Sequence, residues 1–208
     1  KIKDAHTDKD DKLVVLYTSN KEEQHSYIET AKEKGYEVLF LDSPIVSHLI
    51  QKLESSEENM SFVRVDGDHI DNLIKKDDEP ISKLDEDEKE SLKTMLTEII
   101  PQEKFSVQLE AMDSHANPFI ITQPEFMRRM KEMQQSGGVM MGMGAMPDMY
   151  NLVVNTNHEL IGELLTIKTK KKKERLVSQA LDLARLSQNL LKGEELTTFI
   201  KRNFDMIQ

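Results

Sequence analysis

The sequence predicts an α/β fold: a small three-stranded parallel βαβαβ subdomain, an αβα arrangement, followed by an α+β domain that ends in a helical hairpin suited to dimerisation. Three patterns carry this reading. Strand-length apolar runs alternate with helix-patterned segments over residues 13–65. Shorter strand-like runs recur between 105 and 154, and two helices with broad apolar arcs close the chain.

Residues 13–17 are a continuous apolar run of strand length. Ser19 or Asn20, with Glu22 or Glu23 three residues on, opens a helix as a capping box, and Gly35 suits the C′ position that ends it. Residues 36–41 read as a second buried strand. Ser43-Pro44 is a cap followed by Pro at the first helical position, and Ile45, Val46, Leu49, Ile50 and Leu53 form the stripe of the helix that follows. Residues 60–65 are a third strand, and Asp66-Gly67 turns the chain as a hairpin. Helices between successive strands require parallel pairing and right-handed crossovers.

Residues 75–90 are a charge run broken by Pro80, so the first domain is placed at 1–75, an acidic linker leading into a helix at 76–90, and a second domain at 91–208. Leu84, Leu92, Met95, Leu96 and Ile99 mark a helix over about 83–99. Strands are expected at 105–109, 119–121 and 152–154, and a short helix at 158–165. Lys168, Lys170, Lys171, Lys172, Lys173 and Arg175 form either an anion patch or a solvated helix start, and the acidic whole favours the second. The last two helices show wide apolar arcs with little chain left to cover them. Leu176, Ala180, Leu181, Ala184, Leu190, Leu191, Phe199 and Ile200 are therefore the candidate dimer interface.

Composition excludes several classes. Hydrophobic residues make up 38% and charged residues 32%, which allows only modest cores under a heavily charged surface. A net charge of −10 argues against nucleic acid as a partner, and cysteine is absent, so disulfides and thiol chemistry are excluded. No apolar run reaches the length of a membrane span and no signal peptide is visible, so a cytoplasmic protein without a membrane partner is expected. The chain begins Lys1-Ile2-Lys3, which reads as a fragment of something longer.

Reactive chemistry is sparse. The first strand-to-helix turn, Thr18-Ser19-Asn20-Lys21, has neither a glycine-rich fingerprint nor a Walker pattern. Asp113-Ser114-His115 holds triad residue types, but neighbours in an extended segment point in alternating directions. Asp66-Gly67-Asp68-His69 lacks the spacing of a calcium loop, and the histidines at 6, 25, 48, 69, 115 and 158 form no close pair. No catalytic, metal or cofactor residues are assigned.

The richest segment is 124–149, which holds eight of the twelve methionines. Phe126, Met130 and Met133 fall at i, i+4 and i+7 with Met127 beside them. Arg128, Arg129, Lys131 and Glu132 take the other face of a helix. Such a helix is either an ordinary core-facing element or an adaptable apolar binding surface. The loop that follows interleaves Met140 and Met141 with Gly137, Gly138, Gly142 and Gly144, which packs poorly and tilts the reading towards an external partner.

Several stretches, in order, resemble the C-terminal half of the heat-shock protein 90 chaperones of the bacterial HtpG type. The run at 13–17 followed by Ser19-Asn20-Lys21-Glu22 is similar to that family's strand and Ser-Lys-Glu helix opening. Lys34-Gly35-Tyr36-Glu37-Val38-Leu39 followed by Asp42-Ser43-Pro44-Ile45 resembles its Arg-Gly-Phe-Glu-Val and Glu-Pro-Ile passage. Residues 125–133 match its Met-rich helix, and Leu152-Val153-Val154-Asn155-Thr156-Asn157-His158-Glu159-Leu160 resembles its Leu-x-Ile-Asn-Pro-Asp-His-Pro-Leu signature. Thr156 and Glu159 depart from the signature's prolines, which should loosen that turn without abolishing it. The resemblance implies a chaperone fragment that homodimerises through a four-helix bundle and contacts partly folded clients through Phe126, Met127, Met130, Met133, Met140 and Met141. It implies that ATP and magnesium belong to a parent ATPase's N-terminal domain, so this chain is not itself an enzyme. The chain's end lacks the acidic pentapeptide of eukaryotic members. The competing readings are an α/β enzyme domain with a helical appendage and an oligomerisation adapter without a client surface.

Overall fold

Six consecutive residues with no turn former make β1 (Leu13–Thr18) the middle strand of a parallel sheet ordered β2-β1-β3, with β2 (Leu39–Phe40) and β3 (Met60–Arg64) at its edges. Leu13 lies opposite Met60 and Tyr17 opposite Arg64 in the β1–β3 ladder. The two-residue alternation of β1 divides its side chains between two cores. Val14 and Leu16 pack with Tyr27, Ile28 and Ala31 of α2 (His25–Glu33), whereas Tyr17 packs with Ile50 of α3 (Val46–Ser56) and Phe62. The computed structural model describes residues 2–43, 45–77, 80–135 and 149–207, and within them the side chains of all but 2, 131–135, 206 and 207.

Several expectations for this region change. The strand read over 36–41 shrinks to two residues of β2, and Leu39 and Phe40 are exposed rather than buried. An edge position gives β2 one ladder only, and it pairs with β1 at just Tyr17–Leu39 and Thr18–Phe40. The helix expected to open at Ser19 or Asn20 starts at His25. Asn20 Oδ1 accepts the Glu22 and Glu23 amides at 3.1 Å, so its side chain organises a turn ahead of the helix instead of capping it. Pro44 lies outside the described residues. Asp66-Gly67 leads not into a hairpin but into a short helix, α4 (Ile70–Leu73), whose Ile70 and Leu73 join the α2 core. A further short helix, α1 (Ile2–His6), precedes β1. His6 holds it in place, with Nδ1 2.9 Å from the Val14 carbonyl and Nε2 accepting from the Glu37 amide. Gly35 does sit at C′ with φ +80°, where the Tyr36 amide reaches back to the Ala31 carbonyl.

The second half builds a mixed three-stranded sheet ordered β4-β6-β5 from β4 (Phe105–Glu110), β5 (Phe119–Thr122) and β6 (Tyr150–Asn155), with β4 parallel and β5 antiparallel to β6. The core joins Leu152 and Val154 to Leu92 and Leu96 of α5 (Glu86–Ile99), Ile161 and Leu164 of α7 (Glu159–Thr166), and Val177 and Leu181 of α8 (Lys170–Ser187). Asp85 and Glu88 close a capping box on α5. The final helix is α9 (Gly193–Ile207). Asn189, with φ +55°, ends α8 in a left-handed turn, and the Leu190 amide returns to the Arg185 carbonyl.

The turn after β6 is a hydrogen-bonded hub. Buried Asn155 accepts the Met112 and Asn157 amides and donates to the Asp113 and Ala116 carbonyls. Asn157 accepts the Lys83 amide and donates to the Ile81 and Met112 carbonyls. Residues 81–83, read from sequence as linker, are thus tied to this turn. Thr156 donates its backbone amide to the Glu110 carbonyl at 2.8 Å, a bond that a proline there could not make.

Candidate functional site

The Met-bearing segment forms α6 (Glu125–Gln135), entered from β5 through Gln123 and Pro124. Its orientation reverses the usual rule for an amphipathic helix. Arg128, from the charged face, points into the protein and is only 5% exposed, while Phe126 is 70% exposed. Among the described side chains, α6 contributes none to any of the three hydrophobic clusters.

Polar contacts hold it. Arg128 Nη2 donates to the Tyr17 hydroxyl at 2.7 Å, and its guanidinium lies 5.8 Å from the Tyr17 ring centre. Arg128 also pairs with Glu125, through Nη2 and, at 3.1 Å, through Nε. Arg129 donates from Nε to Glu125 at 2.7 Å, from Nη1 to Glu54 Oε2 at 3.1 Å and from Nη2 to the Phe62 carbonyl at 3.0 Å. Glu54, from the last turns of α3, also accepts the Phe62 amide at 2.8 Å. Beneath the start of α6, Arg64 bridges Asp66 and Gln123. A Cβ on Gly67 would meet the Arg64 carbonyl at 3.1 Å, so a side chain there would crowd this junction. Burial raises the pKa of the Glu54 carboxyl, but hydrogen bonds from Arg129 and the Phe62 amide, with the charges of Arg129 and Lys12, outweigh it and leave the group below its ordinary value. Burial lowers the pKa of Arg129, and its pairing with Glu54 and Glu125 more than reverses that.

Of the expected client-contact residues, Phe126 stands in solvent and Met127 and Met130 are half-buried. Met133 lies in α6, but its side chain is outside those described, and Met140 and Met141 lie outside the described residues altogether.

The terminal helices change the expected dimer set. Ala180, Leu181, Ala184, Leu191 and Phe199 are buried within the single chain, and Leu176 and Leu190 pack against its core. α8 turns most of its arc onto β5 and α5, so intramolecular packing takes what looked like partner surface. Ile200 remains exposed, and Leu183, Leu186 and Phe204 join it as uncovered apolar positions. Leu183 and Leu186 are three residues apart and Ile200 and Phe204 four, so each pair stands on one helix face. Leu183 and Phe204 belong to the arcs visible in the sequence, but periodicity cannot divide a wide arc between two neighbours, so nothing there singled them out.

Elsewhere the local chemistry is structural. Gln24 Oε1 accepts the Thr18 hydroxyl at 2.6 Å and the Ser19 and Asn20 amides, so a side chain of the protein itself occupies the donors of the first strand-to-helix turn. The cavity beside it holds about 180 Å³. Asp113 accepts the His115 amide in a local turn. Lysines 168, 170 and 173 line a groove of about 670 Å³ whose opposite wall carries Asp87, Glu90 and Glu98, so acidic neighbours offset the basic run. Among the described residues, no cluster of three or more metal-ligating side chains occurs and no helix is long and apolar enough to cross a membrane.

The family model described as Hsp90 protein matches residues 8–207. A protein named chaperone protein htpG from Bacteroides fragilis (strain 638R) is 35% identical, with 99% of this chain covering 40% of that protein. Chaperone protein HtpG of Bacteroides thetaiotaomicron is 34% identical over the same shares. Chaperone protein HtpG of Porphyromonas gingivalis (strain ATCC 33277) is 39% identical, with 79% of this chain covering 25% of it. The chain spans less than half the length of these curated relatives.

Proposed function

Because this chain belongs to the Hsp90 family, we propose that it performs the holding work of a chaperone: it pairs with a second copy and grips partly folded clients. One observation carries the client half of this reading. α6 turns Arg128 and Arg129 onto the protein and leaves Phe126 in solvent, the reverse of what a core-facing helix would do. Exposed apolar side chains gathered with flexible thioethers suit a partner of variable shape.

The dimer half rests on the uncovered positions of α8 and α9. Leu183, Leu186, Ile200 and Phe204 give two copies complementary apolar stripes from which a four-helix bundle can form. In the proposal, residues 1–75 serve as the last αβα subdomain of a middle segment and 91–208 as the dimerisation domain. ATP binding and turnover, with magnesium, belong to segments of the whole protein outside these 208 residues, and this chain is not an enzyme by itself.

The test compares Phe126→Ser combined with Met130→Ser against the parent chain in two measurements. Chemical denaturation should place the double variant within about 1 kcal/mol of the parent, since Phe126 is exposed and half-buried Met130 belongs to no hydrophobic cluster. Suppression of client aggregation, followed by light scattering, should fall. A loss of about 4 kcal/mol or more would make these residues core. Unchanged stability with unchanged holding would remove α6 from the client surface.

A further inference from the structure

The charged face of α6 makes its described anchors on one sheet and helix of the N-terminal half: Tyr17 from β1, the Phe62 carbonyl from β3 and Glu54 from α3. We propose that Glu54 and Tyr17 are positioning residues for the client-contact helix, forming an electrostatic latch between the two halves of the chain that sets the pose in which α6 presents its apolar face. The inference rests on the client reading of α6, but its first readout does not.

An apolar seam is not loosened by salt and is insensitive to the identity of single polar atoms. An ion-pair seam is sensitive to both. The latch is well suited to release. Glu54 and Arg129 keep 24% and 35% of their side-chain surface in solvent, so salt reaches this pair. Arg128 and Arg129 both also hold Glu125 on their own helix, so α6 keeps partners for its cations when it lets go of the sheet. No described α6 side chain belongs to a hydrophobic cluster, and Arg128 reaches the side chain of Tyr17, a member of one. Glu54 is also tied to its own subdomain through the Phe62 amide, so a shift of α3 against β3 is transmitted to the Arg129 guanidinium.

The test is amide hydrogen exchange on the 208-residue chain, comparing the parent with Glu54→Gln, Tyr17→Phe and Arg129→Gln, at low and high salt. Glu54→Gln keeps the acceptor for the Phe62 amide, and Tyr17→Phe keeps the ring. Exchange over residues 125–135 should rise about tenfold in Glu54→Gln and in Arg129→Gln, and to a lesser degree in Tyr17→Phe, while α8 stays as in the parent. Combining Glu54→Gln with Arg129→Gln should add little to either alone, the signature of one shared interaction. The parent's α6 exchange should quicken with salt, and that of Glu54→Gln should quicken less, since only the Glu125 pairs within α6 remain. Restoring the charge with Glu54→Asp should recover part of the protection and of the salt response. Exchange in Glu54→Gln within twofold of the parent, or a salt response undiminished by loss of the carboxylate, would overturn the latch. If the exchange results hold while Phe126→Ser leaves client holding intact, the client reading fails and the latch stands as a structural joint.

Discussion

Glu54 shows how one carboxylate can report on the joint between the halves of the chain. Its pKa is held down by Arg129, the Phe62 amide and Lys12 against the upward push of burial, and Glu125 shares the Arg129 guanidinium with it. A depressed folded pKa contributes stability that is fully present above the unfolded value of about 4.3 and is lost as pH falls through the folded value. Urea denaturation should therefore separate the parent from Glu54→Gln at neutral pH, and the gap should close below about pH 4. A gap that stays constant down to about pH 3 would place the effect of the substitution elsewhere. Asn155 provides a second residue-level test. Its amide is fully buried and satisfied on both ends, so Asn155→Ala should cost about 2 kcal/mol or more, read as a lower denaturation midpoint. A change below about 0.5 kcal/mol would mean that water replaces the hub without loss.

Elements differed in how far the sequence disclosed them. β1 was plain because an uninterrupted apolar run has few alternatives to a buried strand, while for β6 only residues 152–154 of its six were read. β2 was over-read: Val38 to Leu41 is as apolar as a central strand, but an edge position leaves only two residues paired. α4 escaped notice because four residues carry no periodicity. The stripe of α6 was legible, but not its sense, since the spacing of apolar and charged residues is the same whichever face meets the protein. Acceptors about 65 to 110 positions away in sequence, Tyr17 for Arg128 and Glu54 and the Phe62 carbonyl for Arg129, draw these side chains onto the protein. The same limit applied to α8. Leu181→Asp should destabilise the chain by about 3–5 kcal/mol, because it puts an unpaired charge into an intramolecular core. Leu183→Asp should leave folding within about 0.5 kcal/mol.

For the whole molecule, two surfaces matter most: the apolar stripes of α8 and α9, and the outward side of α6. A stable dimer buries roughly 1,200–2,000 Å² in total, more than four side chains supply, so the polar rim of α8 and α9 must take part. Light scattering behind size exclusion should find a dimer at tens of micromolar and a monomer for Phe204→Asp, with unchanged denaturation. A monomeric parent would remove the pairing. The central claim is that α6 turns Phe126 towards clients and Arg128 and Arg129 towards the protein. The most direct measurement replaces Phe126 with a photoreactive phenylalanine analogue and illuminates the chain with an unfolding client, with the same analogue at exposed Ser114 as control. Strong cross-links to client are expected from position 126 and few from 114. Cross-links from 126 confined to this chain's own core, or equal yields at both positions, would contradict the claim.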